Sequence, residues 1–381
     1  MSREWEVEVL TSRACEYIER FENDYPEGLA VVQGIPVRRF NIDRLRSEAA
    51  VFSALDQKVL QRRSSIEEDR EWLREIGPDC GGLHDYVRIH AAEFDVIVFY
   101  TYLYATTTLT LPIVREKAIL VPTAHDEPPI HTRPFDTFFE LPRLLLCSTP
   151  EEESFLRQRT AGAMAPSMVA GIGVDIPEEV DPQVFRGRYN IPGKYFLYVG
   201  RIQKAKGVDT LFDYYLGLPP AVRETYPLVL LGKAAMEIPG SPDIRHVGFV
   251  SEEEKYSAMA GATLLVAPSQ FESLSMVLLE AWAVGTPVIV NGQCDVLVRQ
   301  VLRANGGLWY DNREEFWAAI GLLTHPRQRF VAGALGQNGK MFVQKFYGWD
   351  TMAGRFQNAF RVVKDNNSAI ARDGREFLAR S

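Results

Sequence analysis

Short apolar runs alternate with amphipathic stretches along most of the chain, and the alternation is most regular in the second half. The apolar runs have the length of buried strands, and the amphipathic stretches are long enough for several helical turns. Strands are predicted at residues 195–199, 228–231, 244–247, 264–267 and 288–290. Helices are predicted between them at residues 209–216, 252–259, 275–282 and 296–303. This alternation predicts a parallel sheet that is covered by helices on both faces.

The first half follows the same pattern less regularly. Strands are predicted there at residues 7–10, 37–40, 96–100, 118–121 and 144–147. Helices are predicted at residues 46–61, 67–75 and 83–92. Glycine, proline and acidic residues cluster from Gly171 to Pro182, which is typical of a domain boundary. We therefore expect an α/β protein of two Rossmann-like domains that face each other across a cleft, with ligands bound at the carboxyl ends of the strands.

The composition fits this architecture. The chain has 381 residues, enough for two domains, of which 46% are hydrophobic and 24% are charged, as in ordinary globular proteins. The apolar runs are far shorter than the roughly 20 residues that span a bilayer. Residues 2–6 are charged and lack the apolar core of a signal peptide. A cytoplasmic location is therefore expected.

The net charge of −8 argues against nucleic acid as a partner, because duplex binding normally needs a basic face. Basic runs at residues 37–39, 44–46 and 61–63 are either a solvated surface or a patch that faces anionic lipid head groups or a phosphorylated acceptor. The four cysteines lie far apart without the spacing of metal ligands. They are expected to be reduced and mostly buried thiols.

A glycine and two cations follow the first predicted strand of the second half. Gly200 and Arg201 come directly after this strand, and Lys206 lies just before the next predicted helix. In an open parallel sheet this places two permanent cations in the crevice at the carboxyl end of the strand. Arginine can bind two phosphate oxygens at once, lysine acts as a point charge, and glycine lets a ligand approach the backbone closely. The alternative is a surface turn with ordinary basic residues.

Two glutamates eight positions apart flank the start of a later helix. Glu272 lies on the loop after a predicted strand, and Glu280 lies inside the apolar helix that begins near Ser275. Ser275 is a good N-cap residue, and the free backbone N–H groups at that helix end form an anion site. A carboxylate in so apolar a context as that of Glu280 needs a partner, and ribose hydroxyls would suit it. The alternative assigns both glutamates to surface salt bridges, which contribute little to stability.

Together these features suggest a site that stabilises a leaving group. Negative charge grows on a nucleoside diphosphate as its bond to a sugar breaks, and Arg201, Lys206 and the helix end near Ser275 could stabilise it. The sequence has no Asp-x-Asp pair and no cluster of His, Cys and Asp with metal-ligand spacing. The predicted chemistry is therefore independent of a metal ion.

The motifs are similar to those of a known family. They are Gly200-Arg201, Lys206-Gly207, Gly248-Phe249-Val250, and Glu272 with Glu280 before Gly285-x-Pro287. The chain resembles the donor domain of retaining GT-B glycosyltransferases of the family 4 type, also called glycosyl transferases group 1. The spacing of the two glutamates is the most specific part of this resemblance. The resemblance is continuous from about residue 171 to residue 360 and patchy before that.

The resemblance implies a role for each motif. Arg201 and Lys206 would hold the diphosphate, Glu280 would hold the ribose, and Glu272 would contact the transferred sugar. The backbone near Val250 would face the nucleobase. The implied donor-binding residues are Gly200, Arg201, Lys206, Val250, Ser273, Leu274, Ser275, Met276 and Glu280.

His125 is the candidate site residue of the first half. It follows the strand predicted at 118–121, where the family carries a histidine that lines the sugar pocket. The alternative is a histidine that is hydrogen-bonded within its own loop. The predicted catalytic residues are therefore Glu272 and His125.

The resemblance also implies a domain plan. It consists of an acceptor-side domain at residues 1–175, a donor domain at 176–348, a helix at about 349–365 that crosses back to the first domain, and a flexible tail at 366–381. Such enzymes usually begin with a strand, a glycine-rich loop and a helix before the segment that resembles residues 6–11. The N-terminal domain is therefore expected to lack the usual first strand.

The implied reaction moves a sugar from a nucleotide sugar to a hydroxyl of a glycan or glycolipid, with retention of configuration and without a required cofactor. UDP is the first expected nucleotide and GDP the second. The usual setting is polysaccharide biosynthesis in the cytoplasm, and a weak peripheral contact with the inner membrane face is a further expectation. Two alternatives stay open: an epimerase or phosphorylase of the same fold, and a nucleotide-sugar binding subunit without activity.

Overall fold

The computed structural model describes residues 5–15, 21–191 and 193–365. These residues form two compact units. The chain enters the second unit at Gly171 and returns to the first at Arg355. Each unit is an α/β structure with its own hydrophobic core. The predicted tail at 366–381 lies outside the described residues.

The first unit contains two sheets. Its strands are β1 (Val9–Ser12), β2 (Gly28–Val32), β3 (Ile35–Phe40), β4 (Ile97–Tyr100), β5 (Ala118–Val121), β6 (Leu144–Cys147) and β7 (Ser167–Val169). One sheet has the order β1-β3-β2 with β2 antiparallel, and the other is parallel in the order β4-β5-β6-β7. The five strands predicted in this half are confirmed. The sequence pattern misses β2 and β7, because β2 exposes four of its residues and β7 is only three residues long.

Five helices accompany these strands. They are α1 (Ala49–Leu60), α2 (Ile66–Ile76), α3 (Gly81–His90), α4 (Ala105–Thr108) and α5 (Pro150–Arg159). Capping fixes where two of them begin. Ser65 and Glu68 form a capping box at the start of α2, in which each side chain accepts a hydrogen bond from the other residue's backbone N–H. The Thr149 hydroxyl accepts a hydrogen bond from the N–H of Glu152 at the start of α5.

The second unit contains a single six-stranded sheet. Its strands are β8 (Phe196–Val199), β9 (Leu228–Leu231), β10 (Ile244–Gly248), β11 (Leu264–Ala267), β12 (Val288–Asn291) and β13 (Gly307–Tyr310). All neighbours are parallel, in the order β10-β9-β8-β11-β12-β13. The chain therefore winds outward from β8 to β10, crosses to β11 on the other side of β8, and winds outward again. The carboxyl ends of β8 and β11 form the topological switch point, where open α/β sheets bind their ligands.

Helices cover both faces of this sheet. They are α6 (Pro182–Tyr189), α7 (Val208–Leu216), α8 (Pro220–Thr225), α9 (Glu252–Gly261), α10 (Met276–Ala283), α11 (Asp295–Ala304), α12 (Arg313–Thr324) and α13 (Arg329–Phe346). Successive residues of a strand point to opposite faces of the sheet and belong to two different cores. Leu197 and Val229 belong to one, while Phe196 and Leu228 belong to the other. Both faces are thus buried, which confirms the predicted arrangement.

The second unit has one continuous sheet with β8 in its interior, whereas the strands of the first unit form two sheets. Strand β8 pairs with β9 on one side and with β11 on the other. In the first unit, no strand among the described residues joins β1 to β4, and the strands stay in two separate sheets. The expected lack of the usual first strand stays a prediction.

The last helix, α14 (Trp349–Lys364), begins in the second unit and ends in the first. Phe356, Ala359 and Phe360 are buried in a cluster that includes residues of β5 and β6. Lys364 pairs with Asp95, just before β4, at 2.8 Å between Nζ and Oδ2. The end of this helix therefore covers one face of the four-stranded sheet.

Two glycines of α13 test how tightly this helix packs. A Cβ atom on Gly336 would lie 1.9 Å from the carbonyl oxygen of Gly285, whereas a Cβ atom on Gly333 would meet nothing within 4 Å. We expect Gly336→Ala to lower the free energy of unfolding by about 1–3 kcal/mol, because the two backbones must move apart. Gly333→Ala should raise it by about 0.5–1 kcal/mol, because glycine is unfavourable inside an exposed helix. Urea denaturation measures both values, and effects of the same sign would contradict this packing.

Candidate active site

Two loops of the second unit meet at the switch point. One follows β8 from Gly200 to Gly207, and the other follows β11 from Pro268 to Ser275. A Cβ atom on Gly207 would lie 2.4 Å from the carbonyl oxygen of Pro268, so the two backbones are in close contact. Asn291, at the end of β12, donates a hydrogen bond to the same carbonyl at 3.0 Å. Backbone packing thus brings the two predicted motifs together.

Lys206 and Glu272 form an ion pair between these loops. Lys206 Nζ donates to Oε1 of Glu272 at 2.8 Å, and the two side chains are 37% and 17% exposed. The pair is therefore partly buried and differs from the surface salt bridge of the alternative interpretation. Because water screens such a pair only in part, its charges act more strongly on a nearby ligand than charges in bulk water would.

Glu280 lies on α10 and contacts a lysine of α9. Its Oε1 accepts a hydrogen bond from Lys255 Nζ at 3.0 Å, and both side chains are largely buried. Lys255 also pairs with Glu252 at 2.7 Å. Burial alone would lower the pKa of Lys255, but the bonds to the two glutamates outweigh it and raise the pKa. The partner that Glu280 needs is thus Lys255, and a contact with ribose stays a prediction.

The start of α10 follows the loop that carries Glu272. Ser275 takes the N-cap position with an extended backbone, and the helix begins at Met276. Among the described residues the Ser275 hydroxyl forms no capping hydrogen bond, which corrects the expectation of a side-chain cap. The first-turn N–H groups of a helix have no partner within the helix itself, which is why such helix ends can bind anions. Leu274 is buried in the core and Ser273 is half-buried, so this loop is anchored close to the sheet.

The backbone around Arg201 is fixed by the neighbouring strand. Gly200 has a φ of +143°, which favours glycine, and a Cβ atom on Gly232 at the end of β9 would lie 2.1 Å from its carbonyl oxygen. The Tyr198 hydroxyl donates to the carbonyl oxygen of Arg201 at 2.7 Å. Close approach of the two strand ends therefore sets the path of the loop at the carboxyl end of β8.

Val250 lies in the turn between β10 and α9. It follows Gly248, which has a φ of +91°, and Phe249, which is 90% exposed. Val250 itself packs against the core, and Ser251 caps α9 through a capping box with Glu254. The turn stands at the same edge of the sheet as Arg201, with β9 between β10 and β8. Its contact with a nucleobase stays a prediction.

In the first unit, His125 lies on the loop after β5. Its Nε2 is 3.3 Å from Oε2 of Glu127, and the Tyr102 hydroxyl donates to Oε1 of Glu127 at 2.7 Å. Burial alone would raise the pKa of Glu127, but the hydrogen bond and charge of His125 and the bond from Tyr102 outweigh it and lower the pKa. A carboxylate thus orients the histidine. This geometry fits both the catalytic interpretation and that of a hydrogen-bonded loop histidine.

The lowered pKa of Glu127 predicts an effect of pH on stability. A carboxyl whose pKa is lower in the folded protein contributes stability above its unfolded value, here 4.5, and this contribution is lost as the pH falls through the folded pKa. We expect the wild type to lose more stability than Glu127→Gln between about pH 5 and about pH 3. Urea denaturation across this range tests it, and parallel profiles for the two proteins would contradict it.

The predicted basic runs are largely paired within the first unit. Arg38 Nε lies 2.8 Å from Glu8, and Arg62 lies 2.6 Å from Asp136. Arg44 forms ion pairs with two glutamates of α2. These arginines are therefore committed to structural contacts, which favours the interpretation as a solvated surface over that of an anion-binding patch.

Among the described residues, no group of three or more His, Cys, Asp or Glu side chains could hold a metal ion. None of the described helices has the length and apolar character needed to cross a membrane. The four cysteines are free thiols: Cys80, Cys147 and Cys294 are buried, and Cys15 is exposed. Burial raises the pKa of Cys80 to about 12 and that of Cys294 to about 11, so both are unreactive.

The sequence prediction misses the residues that hold the site residues in place. Lys255 could have been found as the only basic residue of an acidic helix start, and Glu127 as a carboxyl two positions after His125. No feature of the sequence indicates that Tyr102 or Asn291 supports a site residue. Their partners are more than 20 positions away in the sequence, and only the fold brings them together.

The sequence of the second unit matches a known family. Residues 183–329 match the profile of glycosyl transferases group 1, and this stretch contains every predicted donor residue. The D-inositol 3-phosphate glycosyltransferase of Nocardioides sp. is 28% identical over 226 residues, which cover 51% of this chain and 47% of that protein. The matches to the first curated relatives span only 28% to 47% of the relatives' length. The resemblance to glycosyl transferases group 1 is thus confirmed.

Solved structures extend the likeness in fold to most of the chain. Sucrose-phosphate synthase from Thermosynechococcus elongatus is 18% identical with a TM-score of 0.70, over 96% of this chain and 90% of that one. HepE from Anabaena in complex with UDP and glucose is 16% identical with a TM-score of 0.62, over 86% of each chain. At these identities the likeness concerns the fold alone. The protein has the GT-B fold of two Rossmann-like domains, which confirms the predicted fold class.

Proposed function

We propose that this protein is a glycosyltransferase that moves a sugar from a nucleoside diphosphate sugar to an acceptor hydroxyl. The observation that carries the proposal is the Lys206–Glu272 ion pair at the switch point, directly before the start of α10. It places a cation, a carboxylate and a helix N-terminus together, within the stretch that matches glycosyl transferases group 1. Such a site suits a ligand that has phosphate at one end and sugar hydroxyls at the other.

The ion pair suggests how the donor binds. A diphosphate that reaches Lys206 competes with Glu272 for the ammonium group, because both are anions. Once Lys206 turns to the phosphate, the Glu272 carboxylate is available to accept hydrogen bonds from hydroxyls of the transferred sugar. Glu272 therefore has two partners in the proposed cycle: Lys206 before the donor binds and the sugar afterwards.

The same groups act on the leaving diphosphate. Negative charge on the departing oxygen grows as the sugar–phosphate bond breaks, and Lys206, Arg201 and the N–H groups at the start of α10 stabilise it. The acceptor hydroxyl attacks on the face that the diphosphate leaves, so the configuration is retained. A departing phosphate oxygen takes the acceptor proton. This step needs neither a general base from the protein nor a metal ion.

The remaining predicted residues complete the proposed site. Glu280 binds the ribose hydroxyls while Lys255 keeps its carboxylate in place, and the backbone at Val250 faces the nucleobase. His125 contacts the transferred sugar and is held by Glu127. UDP is the first proposed nucleotide, supported by the fold shared with the UDP complex of HepE, and GDP is the second. A glycan or glycolipid acceptor, polysaccharide biosynthesis, a cytoplasmic setting and a weak membrane contact belong to the same proposal.

The experiment that tests the proposal is product analysis with UDP-sugars and GDP-sugars over a panel of glycan and glycolipid acceptors. Each reaction is run with and without EDTA, and NMR reads the anomeric configuration of the product. Transfer with retention that EDTA leaves unchanged is the expected result. An epimerised sugar or a sugar phosphate would replace this proposal by the epimerase or phosphorylase alternative. Donor binding without any product would replace it by the binding subunit.

A further inference from the structure

We propose that Glu152 is the positioning residue that holds the loop of His125 in place. The inference rests on the proposed function, since the loop has a catalytic purpose only if His125 contacts the sugar. All residues on which it depends belong to the first unit. In the sequence Glu152 stands in a run of three glutamates, with Thr149 three positions before it, a spacing that marks only the start of α5.

Glu152 is a buried carboxylate that accepts hydrogen bonds from backbone N–H groups beyond two strand ends. Its side chain is in the core, and the residue is 1% exposed. Oε1 accepts a hydrogen bond from the N–H of Ala124 at 2.6 Å, and Oε2 accepts one from the N–H of Ser148 at 2.5 Å. Ala124 directly precedes His125 on the loop after β5, and Ser148 directly follows β6. One carboxylate therefore joins the carboxyl ends of two adjacent strands beside the histidine.

The backbone before Ala124 needs such support. Thr123 has a φ of +52°, a conformation that is a genuine outlier for a β-branched residue. Its hydroxyl donates to the hydroxyl of Thr101 at 3.0 Å, and Thr101 also has a positive φ of +66°. Strained backbone of this kind persists only where the surrounding structure fixes it, and it is concentrated at active sites. The hydrogen bond that the next N–H along the chain, that of Ala124, donates to Glu152 supplies that constraint.

The two backbone N–H groups that face Glu152 need two acceptor oxygens. Burial raises the pKa of Glu152 to about 7, while the hydrogen bonds from Ser148 and Ala124 and the charge of His125 oppose the rise. An ionised carboxyl offers two acceptor oxygens, one to each backbone N–H. Glutamine offers only one, and its NH₂ group would face the other N–H. Glu152→Gln is therefore nearly isosteric and yet breaks one of the two connections.

The test compares Glu152→Gln with Glu140→Gln, which removes the same charge from an exposed position of the first unit. For Glu152→Gln we expect kcat to fall about 10- to 100-fold, because a small displacement of the His125 loop misplaces a group that contacts the sugar. The affinity for the free nucleotide should stay at the wild-type value, since the proposed nucleotide-binding residues belong to the second unit. Hydrogen exchange at Ala124 and His125 should become at least about tenfold faster. Glu140→Gln should match the wild type in every measurement.

Glu152→Asp keeps two acceptor oxygens on a shorter side chain and should give intermediate kcat and exchange rates, so it carries the test if Glu152→Gln does not fold. Wild-type kcat and wild-type exchange in Glu152→Gln would overturn the inference. A Glu152→Gln variant that lost nucleotide affinity and thermal stability together with kcat would also overturn it, because such a pattern would indicate a general structural role. If the wild type transfers no sugar, the proposed function fails. Hydrogen exchange at Ala124 still decides separately whether Glu152 holds the loop.

Discussion

Lys206→Ala is expected to lower kcat about 10²- to 10³-fold, the range seen when one group that stabilises developing negative charge is removed. In the folded protein this ammonium lies 2.8 Å from Glu272, at the point where two loops and the start of α10 meet. The variant loses the cation and keeps the Glu272 carboxylate. The leaving diphosphate would then face an uncompensated negative charge. Steady-state kinetics at saturating donor measure the effect.

The matched control is Lys204→Ala. This lysine lies on the same short turn and is exposed, so the substitution makes the same change of charge without removing a partner of Glu272. Its kcat should stay within about twofold of the wild type, as expected for an exposed charge that interacts weakly. Equal losses in the two variants would indicate that only the total charge of the loop matters. The specific role of Lys206 would then be wrong.

Glu280→Ala is expected to raise the Kd for the nucleotide about 10- to 100-fold, because hydrogen bonds to a charged group contribute about 1.5–3 kcal/mol. The carboxylate is held by Lys255 on one side, and in the proposed site it accepts hydrogen bonds from the ribose. Lys255 keeps its second partner, Glu252, in the variant, so the fold should be little affected. Calorimetric titration measures the Kd, and circular dichroism checks the fold.

A nucleotide without ribose hydroxyls makes this test specific. The wild type should bind a 2′,3′-dideoxynucleoside diphosphate as weakly as Glu280→Ala binds the normal nucleotide, and Glu280→Ala should not distinguish the two ligands. Glu253→Ala, an exposed change on α9, is the control and should bind like the wild type. Normal affinity of Glu280→Ala would mean that Glu280 and Lys255 form a structural pair only.

The fold of the second unit follows closely from its sequence. The predicted strands at 228–231 and 264–267 have the bounds of β9 and β11, because each is buried on both faces and therefore reads as a continuous apolar run. β13 escapes prediction because it begins with Gly307, a residue type that is depleted in strands, and because two of its four residues are not fully buried. In the first unit the sequence pattern misses β2, because this strand also begins with a glycine and most of its residues are exposed.

The site is less predictable than the fold. The sequence indicates Lys206 and Glu272 separately, through a strand end and a helix start, but it gives no sign that they pair across 66 positions. The partner of Glu280 lies 25 positions away on another helix, and Tyr102 lies 25 positions before Glu127. Such contacts depend on strand order and crossover, which residue types alone do not specify.

The measurement that tests the central claim most directly is calorimetric titration of the protein with UDP, GDP and ADP, each with and without EDTA. We expect one of the three to bind in the micromolar range, equally well in EDTA, and to bind more weakly to Lys206→Ala and Glu280→Ala. This result would establish the donor site at the switch point and identify the donor nucleotide. Binding of none of the three would contradict the account.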